Sequence, residues 1–149
     1  MHKWKVLAVD DEPTILSLIC KIVSNLTCVV ETATDSAQAW DKLNNPDSSF
    51  DFVILDRMMP GIDGLKLLRM IKADSRFGTM PVIMQSGASS AEQIAEGIEA
   101  GAFYYLTKPY APNALQCIVR SVKADIELRA EVSAQAARYP SGRPLPGHW

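Results

Sequence analysis

Residues 52–64 read FVILDRMMPGIDG, and this stretch says most about how the chain folds. An apolar run from Phe52 to Leu55 leads to Asp56, and a loop with two glycines separates it from a helical pattern that begins at about Leu65. A short apolar run that passes through a turn into a helix is typical of a strand–loop–helix unit. We therefore expect the Asp56 carboxylate to stand at the carboxyl end of a buried strand.

The same arrangement recurs at other apolar runs, each of which leads to polar residues. Asp10 and Asp11 come after residues 5–9, Ser86 comes after residues 81–84, and Lys108 comes after residues 103–106. If the runs are parallel strands, their carboxyl ends lie along one edge of a sheet, where open α/β folds build their sites. The sequence thus predicts three carboxylates, a hydroxyl and an ammonium group in one crevice.

Helical patterns alternate with these runs along the chain, which is typical of repeated βαβ units. We predict an α/β fold, a doubly wound parallel sheet of five strands with five helices. The fourth helix, at roughly 89–100, contains Gly97, which costs about 1 kcal/mol in a helix interior, so this helix is expected to be the weakest. The last helix, from Asn113 to Ala137, would be about 37 Å long and would extend beyond the sheet.

Composition limits the classes of protein that fit. The chain has 149 residues, 48% of them hydrophobic, which corresponds to about one domain with its own core. We expect a domain over 1–124, a helical extension or linker over 125–138, and a disordered tail over 139–149, which is rich in proline and glycine. The net charge of -2, without a basic run, predicts neither direct nucleic-acid binding nor membrane binding. No apolar stretch approaches a bilayer span, and we expect a cytoplasmic location.

The three acids have individual alternatives: Asp10 and Asp11 could favour the positive end of a helix dipole, and Asp56 could belong to a simple turn. Their adjacency argues for more, because carboxylates from the first and third strands repel one another unless a cation neutralises them. A hard divalent ion that prefers oxygen ligands, most simply Mg²⁺, fits such a cluster. The histidines lie at residues 2 and 148, which argues against zinc.

Lys108 and Ser86 would supply a positive charge and a hydroxyl donor to a metal-bound phosphoryl group. Taken singly, the lysine could be a solvated loop residue and Ser86 part of a turn. Together with the acids, they predict an aspartyl phosphate at Asp56, with the carboxylate as nucleophile, Mg²⁺ bridging it to the phosphoryl group, and Lys108 and Ser86 neutralising the remaining charge.

The motifs at these positions also carry a family resemblance. They are Asp10-Asp11-Glu12-Pro13, residues 55–64 (LDRMMPGIDG), Ser86-Gly87-Ala88 and Lys108-Pro109. The sequence from about Trp4 to Val122 resembles the receiver domain of two-component response regulators. The resemblance implies a flavodoxin-like sheet with strand order 2-1-3-4-5 and, in some members, a cis peptide at Lys108-Pro109.

The resemblance assigns a role to each site residue. Asp56 would be the phosphoacceptor, Asp11 and Asp56 with the Met58 carbonyl would ligate Mg²⁺, and Asp10 would act through a metal-bound water. Lys108 would pair with the phosphorylated Asp56. The chain would be no conventional enzyme, but a phosphoacceptor that assists its own phosphorylation and dephosphorylation.

A conformational switch is also implied. Ser86 would move toward the phosphoryl group and Tyr105, three residues before the lysine, would turn inward. Core packing of Tyr105 is the alternative, and Tyr104 is a neighbouring candidate. The face that changes would consist of the fourth helix, fifth strand and fifth helix.

The implied partners are a sensor histidine kinase or a histidine phosphotransfer protein, docking near the first helix, where Leu18 is a candidate contact. An output domain, an effector protein or a second copy would receive the signal. The competing interpretation is a phosphate-insensitive receiver-like module for docking or dimerisation. A flavodoxin-type cofactor binder fits poorly, since Asp10, Asp11 and Glu12 would repel a phosphate, and the sequence lacks the glycine motifs of nucleotide-binding folds.

Overall fold

The computed structural model describes residues 3–87 and 89–138. Five parallel strands form one sheet in the order β2-β1-β3-β4-β5. The strands are β1 (Trp4–Val9), β2 (Cys28–Ala33), β3 (Phe52–Asp56), β4 (Val82–Ser86) and β5 (Tyr104–Thr107). The helices are α1 (Pro13–Val23), α2 (Ser36–Asn44), α3 (Gly64–Ala73), α4 (Ala91–Glu99) and α5 (Pro112–Arg138). The predicted fold class and strand order are confirmed.

Both faces of the sheet are covered, because successive residues of a strand point to opposite sides. One hydrophobic cluster lies on the side of α2, α3 and α4, and it contains the strand residues Leu7, Val9, Val53, Leu55, Val82, Met84 and Tyr105. The other lies on the side of α1 and α5, and it contains Val6, Ala8, Phe52, Ile54, Ile83 and Leu106. The carboxyl ends of all strands therefore emerge from a rigid, doubly covered core.

Local signals set where the helices begin. Pro13 stands at the start of α1, where a missing N–H costs nothing. The side chains of Asp35 and Asp63 accept hydrogen bonds from the first turns of α2 and α3, at 2.8 and 2.9 Å. Ser90 and Gln93 form a reciprocal capping box at α4. These signals set where each helix starts after the carboxyl end of the strand before it.

The end of α5 extends beyond the sheet, since residues 127–138 are all exposed. Arg129 still contacts the domain, because its Nη1 donates to the Thr79 carbonyl at 2.8 Å. The division into 1–124 and 125–138 stays a prediction, and the predicted tail over 139–149 lies outside the described residues. In the part of the chain that the structure describes, no helix is both long and apolar enough to span a bilayer.

Candidate functional site

The three predicted acids meet at the junction of β1 and β3. These strands are neighbours, with Val9 opposite Leu55, so the residues that follow each of these two lie side by side. Carboxylate oxygens of Asp10, Asp11 and Asp56 all lie within 4.8 Å of one another. Asp10 and Asp56 are buried, at 0% and 4% exposure, whereas Asp11 is exposed. The cluster is thus open to solvent on the side of Asp11.

Lys108 reaches this cluster from the end of β5. Its Nζ donates to Asp10 Oδ2 at 2.8 Å and lies 3.4 Å from Asp56 Oδ1. Burial alone would lower the pKa of Lys108, but its contacts with Asp10 and Asp56 together raise it. The ammonium group is therefore firmly charged and bridges two of the three acids.

Asp56 remains under-neutralised despite that lysine. Burial, followed by the charge of Asp10, raises the pKa of Asp56 to about 6, and Lys108 only partly opposes this. A buried carboxylate beside a second one favours an additional cation.

The dimensions of the cluster suit a small divalent ion. Oxygens on opposite sides of a Mg²⁺ ion are about 4.2 Å apart, given metal–oxygen distances of about 2.1 Å. The separation of at most 4.8 Å among the three carboxylate oxygens is close to that span, and the donors are all hard oxygens. The residues present therefore fit Mg²⁺.

The loop after β3 packs tightly on Asp56. The Gly64 amide donates to the Arg57 carbonyl at 2.8 Å, and a Cβ at Gly64 would lie 2.1 Å from the Asp56 carbonyl oxygen. Glycine is the residue that permits this approach. The Met58 amide lies 3.4 Å from Asp56 Oδ1, and the metal-ligand role of the Met58 carbonyl stays a prediction.

Ser86 completes the edge of the sheet as the last residue of β4. It is fully buried, and its carbonyl accepts a hydrogen bond from the Lys108 amide at 2.9 Å. Asp56 pairs with Gln85 in the β3–β4 register, so Ser86 stands one residue beyond the phosphoacceptor candidate. The peptide between Lys108 and Pro109 is cis.

The chain matches the family model of the response regulator receiver domain over residues 6–120. It belongs to this family. Receiver domains are signalling domains of two-component systems rather than conventional enzymes, and they bind Mg²⁺ at an acidic cluster of the kind formed here. Response regulators partner with histidine kinases and often carry output domains.

Individual response regulators and receiver domains are similar to this chain in sequence and structure. The chain is 33% identical over 119 residues to the response regulator RppA of Synechocystis, covering 80% of this chain and 50% of RppA. It is 35% identical over 114 residues to the chemotaxis protein CheY of Pseudomonas aeruginosa, covering 75% of this chain and 90% of CheY. The BeF3-activated DrrB receiver domain superposes with a TM-score of 0.74 at 29% identity, covering 83% of this chain and 99% of that one. This receiver spans about half the length of RppA and of several other curated relatives.

Two buried polar neighbours of the receiver site were not predicted from the sequence, and the first is Gln85. This fully buried side chain donates from Nε2 to Asp10 Oδ2 at 3.2 Å and accepts from the Tyr110 hydroxyl at 2.6 Å. A usable signal existed: Gln85 is a polar residue within a central parallel strand, where apolar residues are the rule.

The second is Arg57, which is only 8% exposed. Its guanidinium donates to the Gln93 carbonyl at 2.7 Å, forms an ion pair with Glu96, and lies 3.5 Å from the Tyr105 hydroxyl. Gln93 and Glu96 belong to α4, which is part of the face expected to switch. Arg57, the residue directly after the phosphoacceptor candidate, therefore connects Asp56 to that face.

Tyr105 is already buried in this receiver, at 6% exposure, so its inward turn on activation stays a prediction. The ring packs against α4 at Gly97, where a Cβ would lie 2.7 Å from Tyr105 Cδ2. Gly97 therefore has a packing role that was not predicted from the sequence, since it leaves room for the Tyr105 ring against the helix.

Proposed function

We propose that the chain is a phosphorylation-dependent switch that accepts a phosphoryl group on Asp56 from a phosphohistidine of a sensor kinase or phosphotransfer protein. One observation carries this proposal. The buried Asp56 carboxylate lies with two further acids at the carboxyl ends of the neighbouring strands β1 and β3, while Lys108 bridges Asp10 and Asp56. A carboxylate that could accept a phosphoryl group, ligands for a cation and a positive charge for the phosphate oxygens thus lie together.

In the proposed reaction, an Asp56 carboxylate oxygen attacks phosphorus. The phosphorus–nitrogen bond of the phosphohistidine breaks, and its electron pair returns to the imidazole. Lys108 turns from Asp10 to an oxygen of the new acyl phosphate, and the Ser86 hydroxyl donates to another. Attack of water on the aspartyl phosphate later restores the carboxylate and releases inorganic phosphate.

Asp11 and Asp56, with the Met58 carbonyl, would hold Mg²⁺, and Asp10 would act through a water bound to it. When bound, the ion would neutralise charge on the carboxylates and on the incoming phosphoryl group. The exposed position of Asp11 supports this role, because it leaves the cluster accessible from solvent.

The phosphodonor is proposed to dock on an apolar groove beside Lys108. A cavity of about 350 Å³ is lined by Ile15, Leu18, Lys108, Pro109 and Tyr110. Leu18 is 46% exposed although it belongs to the apolar side of α1, so a partner could cover it. This position supports delivery of a phosphoryl group to Asp56 from the α1 side.

The signal is proposed to leave through α4, β5 and α5. Exposed apolar side chains on that face, Ile98 and Tyr104, offer a surface for an output domain, an effector or a second copy. Movement of Ser86 toward the phosphoryl group would change the packing of Tyr105 and shift the population of α4 positions.

One observation favours the alternative, a phosphate-insensitive docking or dimerisation module. Tyr105 is buried and Arg57 binds the Gln93 carbonyl of α4, and this packing would suit a fixed interface. In that case Asp56 would not be modified, or its modification would leave α4 unchanged.

Intact-mass analysis after incubation with acetyl phosphate and Mg²⁺ tests the proposal. We expect one added phosphoryl group, lost in Asp56→Asn and kept in Asp41→Asn, a matched change at an exposed aspartate on α2. An unmodified wild-type chain would contradict the proposal. Unchanged amide exchange in α4 after phosphorylation would favour the alternative.

A further inference from the structure

Gln85 occupies a position that ordinarily excludes it. It lies on β4, in a sheet buried on both faces, and no part of it is exposed. A buried amide is costly unless both ends are satisfied. Both are satisfied here, by Asp10 on one side and by the Tyr110 hydroxyl on the other.

The chemistry of the partners fixes the direction of these hydrogen bonds. The Asp10 carboxylate only accepts, so the amide nitrogen faces it, and the amide oxygen then accepts from Tyr110. Tyr110 is kept protonated in this arrangement, since burial, with the charges of Asp10 and Asp56, raises its pKa to about 12. The chain Tyr110–Gln85–Asp10 is therefore one directed line of donors ending at the acid cluster.

The Asp10 end of this line is shared with Lys108. Asp10 Oδ2 accepts from Lys108 Nζ at 2.8 Å and from Gln85 Nε2 at 3.2 Å, while Oδ1 accepts from the Glu12 amide at 2.9 Å. In the proposed reaction Lys108 leaves Asp10 for the phosphoryl group. Gln85 lies on the buried strand β4, so we expect it to keep a donor on that oxygen when Lys108 leaves.

The Tyr110 end lies in the apolar groove that also contains Ile15, Leu18 and Pro109. The tyrosine hydroxyl is tied to Gln85, whereas its ring forms part of the surface on which the phosphodonor is proposed to dock. One amide thus connects the acid cluster to the groove.

We infer that Gln85 is a positioning residue that orients Asp10 for Mg²⁺ binding and couples the acid cluster to the Tyr110 groove. The inference rests on the proposed function for the identity of the groove's occupant, but the coupling itself requires only Mg²⁺. Because coupling between two sites is reciprocal, an ion bound at the acids should change the environment of the groove residues.

Two variants of the full chain separate the ends of the line. Gln85→Met keeps the length of the side chain but removes both hydrogen bonds. Tyr110→Phe removes only the hydroxyl. Gln116→Met is the matched control, since the Gln116 amide donates to the Ile22 carbonyl at 3.0 Å, in the contact between α5 and α1.

Titration calorimetry with Mg²⁺ alone and methyl NMR of Ile15 and Leu18 provide the readouts. We expect Gln85→Met to weaken Mg²⁺ binding about tenfold, as for loss of one hydrogen bond to a charged group. Tyr110→Phe should change the affinity less than about twofold, because the Gln85–Asp10 bond remains. Mg²⁺ should shift the Ile15 and Leu18 methyl signals in the wild type and in Gln116→Met, and much less in the other two variants.

Unchanged Mg²⁺ affinity in a folded Gln85→Met variant would overturn the inference. If that variant does not fold, Tyr110→Phe decides alone: methyl shifts equal to those of the wild type would overturn the coupling, and their loss would support it. A wild-type chain that binds Mg²⁺ but takes no phosphoryl group would refute the proposed function and leave these readouts valid.

Discussion

At the scale of single residues, Asp56 combines burial with negative charge, and these oppose each other. Burial, followed by the charge of Asp10, raises the pKa of its carboxyl from an ordinary value of 3.8 to about 6. Between those values the folded chain binds more protons than the unfolded chain, so the free energy of unfolding falls as the pH rises through this window. Above it, the ionised carboxylate costs the fold about 3 kcal/mol. The same carboxylate is the proposed nucleophile, so the proposed function would come at the expense of stability.

Replacing Asp56 by asparagine should therefore stabilise the metal-free protein. We expect Asp56→Asn to raise the free energy of unfolding by up to about 3 kcal/mol near pH 7.5 in EDTA, and the gain to vanish below about pH 4. Urea unfolding at both pH values measures the difference, with Asp41→Asn as the control. An Asp56→Asn protein no more stable than the wild type at the higher pH would show that the carboxylate carries no such penalty.

Gly64 makes a second prediction at the residue scale. A methyl group at this position would lie 2.1 Å from the Asp56 carbonyl oxygen, which is backbone and cannot move aside cheaply. We expect Gly64→Ala to lower the free energy of unfolding by about 2 to 3 kcal/mol and to slow phosphorylation of Asp56. Gly87→Ala is the control, since a Cβ there meets nothing within 4 Å, and it should change stability by less than about 0.5 kcal/mol. Equal effects in urea unfolding would contradict this account.

At the scale of elements, α4 is tied to the loop after β3 by the Arg57 side chain. Gly97 is its one buried residue, and Arg57 contributes the hydrogen bond to the Gln93 carbonyl and the ion pair with Glu96. The two contacts contribute unequally to stability. The Gln93 carbonyl receives a charged hydrogen bond from a buried donor, whereas Glu96 is 47% exposed and its ion pair is screened by solvent.

This difference predicts unequal effects of two substitutions. Arg57→Met should lower the free energy of unfolding by about 2 kcal/mol and increase amide exchange across α4, because the carbonyl contact and the ion pair are both lost. Glu96→Gln should cost less than about 1 kcal/mol and leave exchange in α4 nearly unchanged. Hydrogen exchange of both variants checks this. An equal increase in α4 amide exchange in both variants would mean that the ion pair, and not the carbonyl contact, holds the helix.

At the scale of the whole molecule, the sequence predicted what the strand pattern determines. Apolar runs leading to polar residues located the acid cluster, because the sheet topology places the carboxyl ends of all strands at one edge of the sheet. There the side chains of Asp10 and Lys108, separated by 98 positions, meet at 2.8 Å. The contacts of Gln85 with Tyr110 and of Arg57 with α4 could not be derived in this way. They depend on side chains from separate segments, and no local periodicity encodes such pairs. The tight contact of Gly97 with Tyr105 was missed for the same reason.

The whole fold should also respond to the ion that its acids are expected to hold. A ligand that binds only the folded chain stabilises it by about 2.7 kcal/mol at a hundred times its dissociation constant, so Mg²⁺ should raise the melting temperature by a few degrees. EDTA should reverse the rise. Thermal unfolding with and without Mg²⁺ measures it, and Asp11→Asn should abolish most of the shift, since Asp11 is the solvent-facing acid of the cluster, while Asp41→Asn should keep it. A shift that persists in Asp11→Asn would mean that Mg²⁺ acts elsewhere on the surface and that the three acids do not form its site.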